Sequence, residues 1–215
     1  MRKQRSRESV QRSNPFTHVP EDEPEDVGDL RDDVLGAETI IKGPPEPLAT
    51  IPSPAGATPW PRVTLEDHRL ITVVGLHGGA GTSTVASMLG ERSLDAGTGW
   101  PVASGWVRPL PRLGVVVVAR THWVGLKAAE DFTQQWLAGD LHESRLLGLV
   151  LVDDGPKLLD QQQRAVKRLL RKVPIGAHLP WVESWRIHPP DFGRPPRRLQ
   201  KIIRTFHHQA EEDPA

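Results

Sequence analysis

Leu70-Ile-Thr-Val-Val-Gly-Leu-His-Gly-Gly-Ala-Gly-Thr-Ser-Thr84 decides how this chain is read. Residues 70–75 are a short β-branched apolar run ending in glycine, the pattern of a buried strand. Residues 77–84 are a glycine-rich loop that runs into hydroxyl side chains. Val85, Met88 and Leu89 then fall at i, i+3 and i+4, one face of a helix expected to close near Gly97. This order has a physical use. Glycines accept positive φ and bring backbone N–H groups close around an anion. The helix that follows points its positive end at the same spot.

Working outward, Val115-Val-Val-Val-Ala119 and the run 146–152 are continuous apolar stretches, typical of central parallel strands. Residues 100–107 read as a short edge strand, which suits Pro101. Residues 127–138 read as a helix with Phe132 and Trp136 one turn apart. Residues 158–172 form an amphipathic helix with Leu159, Val166, Leu170 and Val173 on its apolar stripe. A short strand over 175–179 follows. The last helix spans 195–206, with Leu199, Ile202, Ile203 and Phe206 on one face. The alternation predicts an α/β fold, a mostly parallel sheet with helices on both faces.

The ends of the chain differ from this middle. Residues 1–62 hold ten of the 21 prolines and the acidic run Glu21-Asp-Glu-Pro-Glu-Asp26. Such a segment buries too little apolar surface to offset its ordering entropy, so 1–62 is expected to be a long disordered tail, with at most a short amphipathic piece near Val34-Leu35 and Ile40-Ile41. It is either a passive tail or a partner-binding arm. Residues 63–208 are expected to be the folded domain, and 209–215 an acidic tail. The net charge is zero only by cancellation: residues 13–69 carry a local net of −8 and residues 161–204 of +9. There is no cysteine, which excludes disulfides, a thiol nucleophile and thiolate metal sites. No apolar run approaches 18 residues, and no apolar stretch follows the basic N-terminus. A cytoplasmic protein without membrane contact is the expectation.

Residues 73–84 resemble the deviant Walker A loop of the ParA/MinD class of P-loop ATPases, whose pattern is Lys-Gly-Gly-x-Gly-Lys-[Ser/Thr]-Thr. Gly78, Gly79 and Gly81 keep the glycines around Ala80. Ser83 stands at the Mg²⁺-hydroxyl position and Thr84 beside it. Both lysines are replaced, one by His77 and the other by Thr82, and Leu76 stands where a strict Walker A has its first glycine. What the resemblance implies is a P-loop NTPase-like fold, ATP or another nucleotide with Mg²⁺ as cofactor, and Ser83 as metal ligand wherever nucleotide binds. That class also uses a carboxylate at the end of a later strand, and another after the second strand. From Gly97 to Val115 there are fewer than twenty residues and none is Asp or Glu, so no such carboxylate is expected there. Without its lysines the loop loses the main fixed charge on a transferring phosphoryl group, where single donors are worth roughly 10²–10³ in rate. A non-hydrolysing binding or regulatory module is expected, with no catalytic residue. The loop is then a structural remnant or a weak phosphate cradle. The alternatives are an ATPase with a non-standard cation and a DNA-binding partition or conjugation accessory.

A narrower resemblance joins this loop to Trp100-Pro-Val, to Val117-Val-Ala-Arg-Thr-His122 with Gly125-Leu, to residues 148–156 and to Leu179-Pro-Trp-Val-Glu-Ser-Trp-Arg186. Together these blocks look like a family of small actinobacterial proteins, lysine-less P-loop relatives of plasmid, conjugative-element or phage context. Arg120 follows a predicted central strand. It either faces the loop as a substitute cation or pairs with an acid such as Asp153. Trp181 and Trp185 either stack on a base or a partner, or cap the core. The nine histidines show no metal-binding spacing. Basic residues at helical spacing within 164–172 and 194–204 read as a candidate phosphate-backbone contact, or as solvated faces. A protein partner is expected.

Overall fold

In the computed structural model of the chain, residues 39–48, 52, 56 and 58–212 are described. All of them belong to a compact unit that spans Asp32–Ala215. Most of the expected N-terminal tail, including Val34-Leu35, lies outside the described residues.

The strand read from the opening motif, β3 (Ile71–Gly75), is buried along its whole length. It lies between β4 (Ser93–Thr98) and β6 (Gly114–Arg120), parallel to both. β7 (Arg145–Val152) and β8 (Ile175–Leu179) continue the parallel array beyond β6. β1 (Ile40–Lys42) closes that edge antiparallel to β8, giving the order β1-β8-β7-β6-β3-β4. A separate two-stranded parallel sheet pairs β2 (Arg62–Leu65) with β5 (Trp100–Ala103).

The valine run of β6 shows why the sheet is covered twice. Val115, Val117 and Ala119 enter one core, with Phe132 and Trp136 of α2 (Trp123–Leu137) and Val166, Leu169 and Leu170 of α3 (Asp160–Leu170). Val116 and Val118 enter the other, with Val85, Met88 and Leu89 of α1 (Thr82–Leu89) and Leu199, Ile202 and Phe206 of α4 (Arg197–Glu211). Successive strand side chains face opposite ways, so a central strand with helices above and below must be apolar at every position. Each such side chain contributes roughly 1.5–3 kcal/mol by leaving water. The chain therefore has a mixed α/β fold with a mostly parallel six-stranded sheet, as the alternation predicts.

Several expected boundaries are corrected. The first helix stops at Leu89 rather than near Gly97. Gly90 takes a positive φ of 84°, which favours glycine, and its N–H bonds back to the Ala86 and Ser87 carbonyls. Ser93 then fixes the turn by donating its hydroxyl to the Ala86 carbonyl at 2.7 Å. Residues 93–98 form β4, an edge strand with only Ser93 buried, so no apolar pattern announces it. Residues 40–42, assigned to the tail, are a strand, and Arg62 opens β2. Residues 209–211 belong to α4 rather than to an acidic tail. Residues 100–103 pair with β2 and not with an edge of the main sheet.

Candidate functional site

The glycine loop leaves the carboxyl end of β3, whose helix α1 packs on one face of the sheet. The neighbouring strand β6 leads to α2 on the other face. The two connections diverge, and such a switch point opens a crevice at the carboxyl ends of the strands, where α/β folds bind ligands.

Within the loop, Gly79 (φ 74°) and Gly81 (φ 95°) adopt left-handed conformations, and Gly81 caps α1. Ala80 is buried under the loop, and its N–H bonds to the His77 carbonyl at 3.3 Å. The backbone N–H groups of Gly78, Gly79, Gly81, Thr82, Ser83 and Thr84 make no hydrogen bond among the described residues. They border a shallow cleft of about 360 Å³, lined by residues 77–84 with Asp95, Gly97 and Thr98.

Of the two positions where the resemblance places lysines, His77 is bonded into the fold. His77 Nε2 accepts the Arg120 backbone N–H at 3.0 Å, and its Nδ1 lies 2.8 Å from the Gly78 carbonyl. Through its two ring nitrogens His77 ties the loop to β6. Its ring also lies 5.0 Å from that of His122, which caps α2 by accepting the Gly125 N–H. Thr82 sits over Gly75, where an added Cβ would fall 2.5 Å from its Oγ1.

Ser83 and Thr84 lie in the first turn of α1. Ser83 Oγ donates to Asp95 Oδ2 at 2.5 Å, and Asp95 Oδ1 accepts the Gly97 N–H at 3.0 Å. The expectation that no carboxylate is available between the first helix and Val115 is thereby overturned. It placed Asp95 inside a helix, whereas the early stop at Gly90 puts Asp95 on the strand beside β3, across from Val73. A hydroxyl and a carboxylate are the hard oxygen donors that Mg²⁺ takes, alongside phosphate oxygens and water. No group of three or more His, Cys, Asp or Glu side chains that could hold a metal occurs among the described residues.

Arg120 lies against the loop. Its Nε donates to the Gly79 carbonyl at 3.4 Å, its Nη1 donates to the Asp153 backbone carbonyl at 2.7 Å, and its Nε and Nη2 are both 3.9 Å from where a Cβ on Gly81 would stand. It does not pair with the Asp153 carboxylate. That group is buried, bonded to His178 Nε2 at 2.9 Å and to the Trp181 N–H at 3.3 Å.

Other candidates lie elsewhere. Trp185 packs edge-on against Phe192 beside the core, and Trp181 donates its indole N–H to Glu183. The two basic stretches are not brought together: 164–172 falls on α3 and its C-terminal turn, 194–204 on and before α4, and these helices cover opposite faces of the sheet. The carboxylates whose titration the fold shifts do not line the loop cleft. Burial raises Glu130, but hydrogen bonds and charge from Lys172 and Arg168 outweigh it and hold the group below its ordinary value. Burial likewise raises Glu143, and its own backbone amide and Arg62 bring it down further. Trp181 first, then Arg186, lower Glu183.

The structure defines a mostly parallel α/β protein with a glycine-rich strand–loop–helix at the carboxyl edge of its sheet. The chain belongs to the DUF6668 family, a family of unknown function whose pattern matches residues 69–205. No curated protein and no solved structure matches it.

Proposed function

We propose that the chain is a ParA/MinD-like P-loop module that holds a nucleotide phosphate without hydrolysing it, and that it acts by binding a protein partner. One observation carries this reading: six backbone N–H groups around Gly79 and Gly81 make no hydrogen bond among the described residues, while neither lysine position holds a lysine and the ring of His77 is bonded into the fold. Backbone amides and a helix end suffice to bind phosphate. Arg120 adds one cation on the β6 side of the loop, and Ser83 with Asp95 would hold Mg²⁺ next to the phosphates. The metal would supply charge neutralisation between phosphate oxygens. Arg120 also ends the strand next to β3, where an active site of this class has use for a strand-end carboxylate. Without lysine on the γ-phosphate the transition state gains little over the ground state, so binding does not become turnover.

The test is titration calorimetry of the full chain with ATP, ADP and GTP, with and without Mg²⁺, together with a phosphate-release assay. Saturable heat that disappears in Gly81→Val, with no phosphate released, is the expected result. Thermal unfolding of the variant checks that it folds. Absence of heat with every nucleotide would sink the binding reading, and steady phosphate release lost in Ser83→Ala would sink the non-hydrolysing one.

A further inference from the structure

Asp153 and Asp154 follow the end of β7, and Arg120 ends β6 beside them, across from Val152. Arg120 Nη1 is 2.7 Å from the Asp153 backbone carbonyl, yet the arginine forms no ion pair among the described residues. Both acids are engaged elsewhere. Asp153 Oδ1 lies 2.9 Å from His178 Nε2, and its Oδ2 accepts the Trp181 N–H at 3.3 Å. The Asp153 N–H donates to the Leu179 carbonyl at 2.9 Å and seats the residue against the end of β8. Asp154 Oδ1 accepts the Thr121 hydroxyl at 2.8 Å, and the Asp154 N–H returns to Thr121 Oγ1 at 3.1 Å. His178 and Asp153 are both buried, which shields their contact from water.

We propose that His178 is a positioning residue for phosphate binding: by holding the Asp153 carboxylate it keeps that acid off Arg120 and leaves the guanidinium group to the glycine loop. The inference rests on the reading of that loop as a phosphate site. His178 acts through Asp153 and Arg120 and not on the ligand. Arg120 Nε and Nη1 donate to two carbonyl oxygens, of Gly79 at 3.4 Å and of Asp153 at 2.7 Å, which fix a guanidinium group without neutralising it. Its Nη2 makes no hydrogen bond among the described residues and lies 3.9 Å from where a Cβ on Gly81 would stand. That nitrogen is the donor left for an anion held by the loop amides, and a guanidinium edge suits phosphate oxygens.

A released carboxylate would compete with that anion. A buried acid that loses its donor has to find another, because an unpaired buried carboxylate is costly. Arg120, whose Nη1 already touches the backbone of this residue, is the cation at hand. Pairing with it would draw the guanidinium group from the loop and neutralise it. Attraction between such charges is far stronger away from bulk water than on the surface, so the position of one acid decides whether the loop has its cation.

Two measurements on the full chain test this, and the first needs no nucleotide. The nuclear magnetic resonance signal of the Arg120 Nε–H group, assigned by its disappearance in Arg120→Lys, is expected to shift in His178→Leu. It should return toward its parent position in His178→Leu/Asp153→Asn. The second measurement is titration calorimetry with ATP and Mg²⁺. Affinity is expected to fall roughly tenfold or more in His178→Leu, to recover most of that loss in the double variant, and to be kept in His178→Gln, whose amide can donate to the same carboxylate. Damage to the fold by leucine at 178 would not be undone by a second change at 153. Thermal unfolding checks each variant, and His178→Thr, a strand-forming residue too short to reach Asp153, replaces His178→Leu if that one does not fold. A parent that binds no nucleotide overturns the loop reading and with it the phosphate role. A parent that binds, with an Arg120 signal unmoved in His178→Leu or a loss of affinity that Asp153→Asn does not restore, overturns this inference alone.

Discussion

Gly125→Ala tests the packing that seats the loop. Gly125 stands in the first turn of α2, where its missing side chain lets the helix press on the end of β6. A Cβ there would sit inside contact distance of the Arg120 carbonyl oxygen, 2.9 Å from its carbonyl carbon and 2.8 Å from His77 Nε2. Helix propensity alone predicts a gain of about 1 kcal/mol for glycine to alanine. Overpacking opposes it with about 1–3 kcal/mol, and displacing His77 also weakens its bond from the Arg120 N–H, worth about 1 kcal/mol. The net expectation is a loss near 2 kcal/mol, or roughly 4–8 °C in Tm for a domain of this size. Thermal unfolding of the full chain measures it. Gly78→Ala is the control, since a Cβ there meets nothing within 4 Å, and it should move Tm by less than about 1–2 °C. In a His77→Ala background the Arg120 carbonyl still blocks the methyl group, so more than half of the loss should remain. An unchanged or higher Tm for Gly125→Ala would refute the reasoning, because propensity would then have outweighed the contact.

Lys172 Nζ bonds Glu130 at 2.6 Å and joins the end of α3 to α2. Its replacement by Met should cost about 1 kcal/mol at neutral pH in urea unfolding. Glu130 titrates below its ordinary value of 4.5, so this stability is present above that pH and is lost as pH falls through the lowered folded value. The parent and Lys172→Met curves should therefore converge in acid, and a gap that stays constant down to pH 2 would contradict the assignment. Asp95→Asn removes an exposed acceptor, so Tm should shift by little. On the nucleotide reading it should lower ATP affinity in Mg²⁺ buffer more than in EDTA, and equal losses in the two buffers would exclude Asp95 from the metal shell.

The parallel core was legible because its strands are apolar on both sides: residues 71–75, 114–120 and 145–152 have to be sandwiched. The helices after them were legible from their stripes. β4 was not, because an edge strand with one buried residue has neither period. Missing it hid Asp95, whose relation to Ser83 is a matter of register between β3 and β4 and not of spacing along the chain. A glycine seven residues ahead of the expected helix end was the available signal, since Gly90 offers a natural stop. Arg120 was legible as a strand-end residue, but its choice of a backbone carbonyl over the Asp153 carboxylate depends on His178, buried on a strand that pairs only in the folded sheet. β1 escaped because three residues among prolines carry no periodic pattern at all.

That short strand has a practical consequence for anyone preparing this protein. Ile40–Lys42 occupies the hydrogen-bonding rim of β8, and the Gly43 N–H bonds the Pro174 carbonyl just beyond it. A shortened version started at residue 63, trimmed to remove a proline-rich leader, would strip this cover and bare the backbone groups of β8 that β1 pairs with along Ile175–Ala177. Open rims of this sort recruit strands from other molecules, so such a fragment should self-associate and precipitate, whereas one begun ahead of Thr39 should stay dispersed.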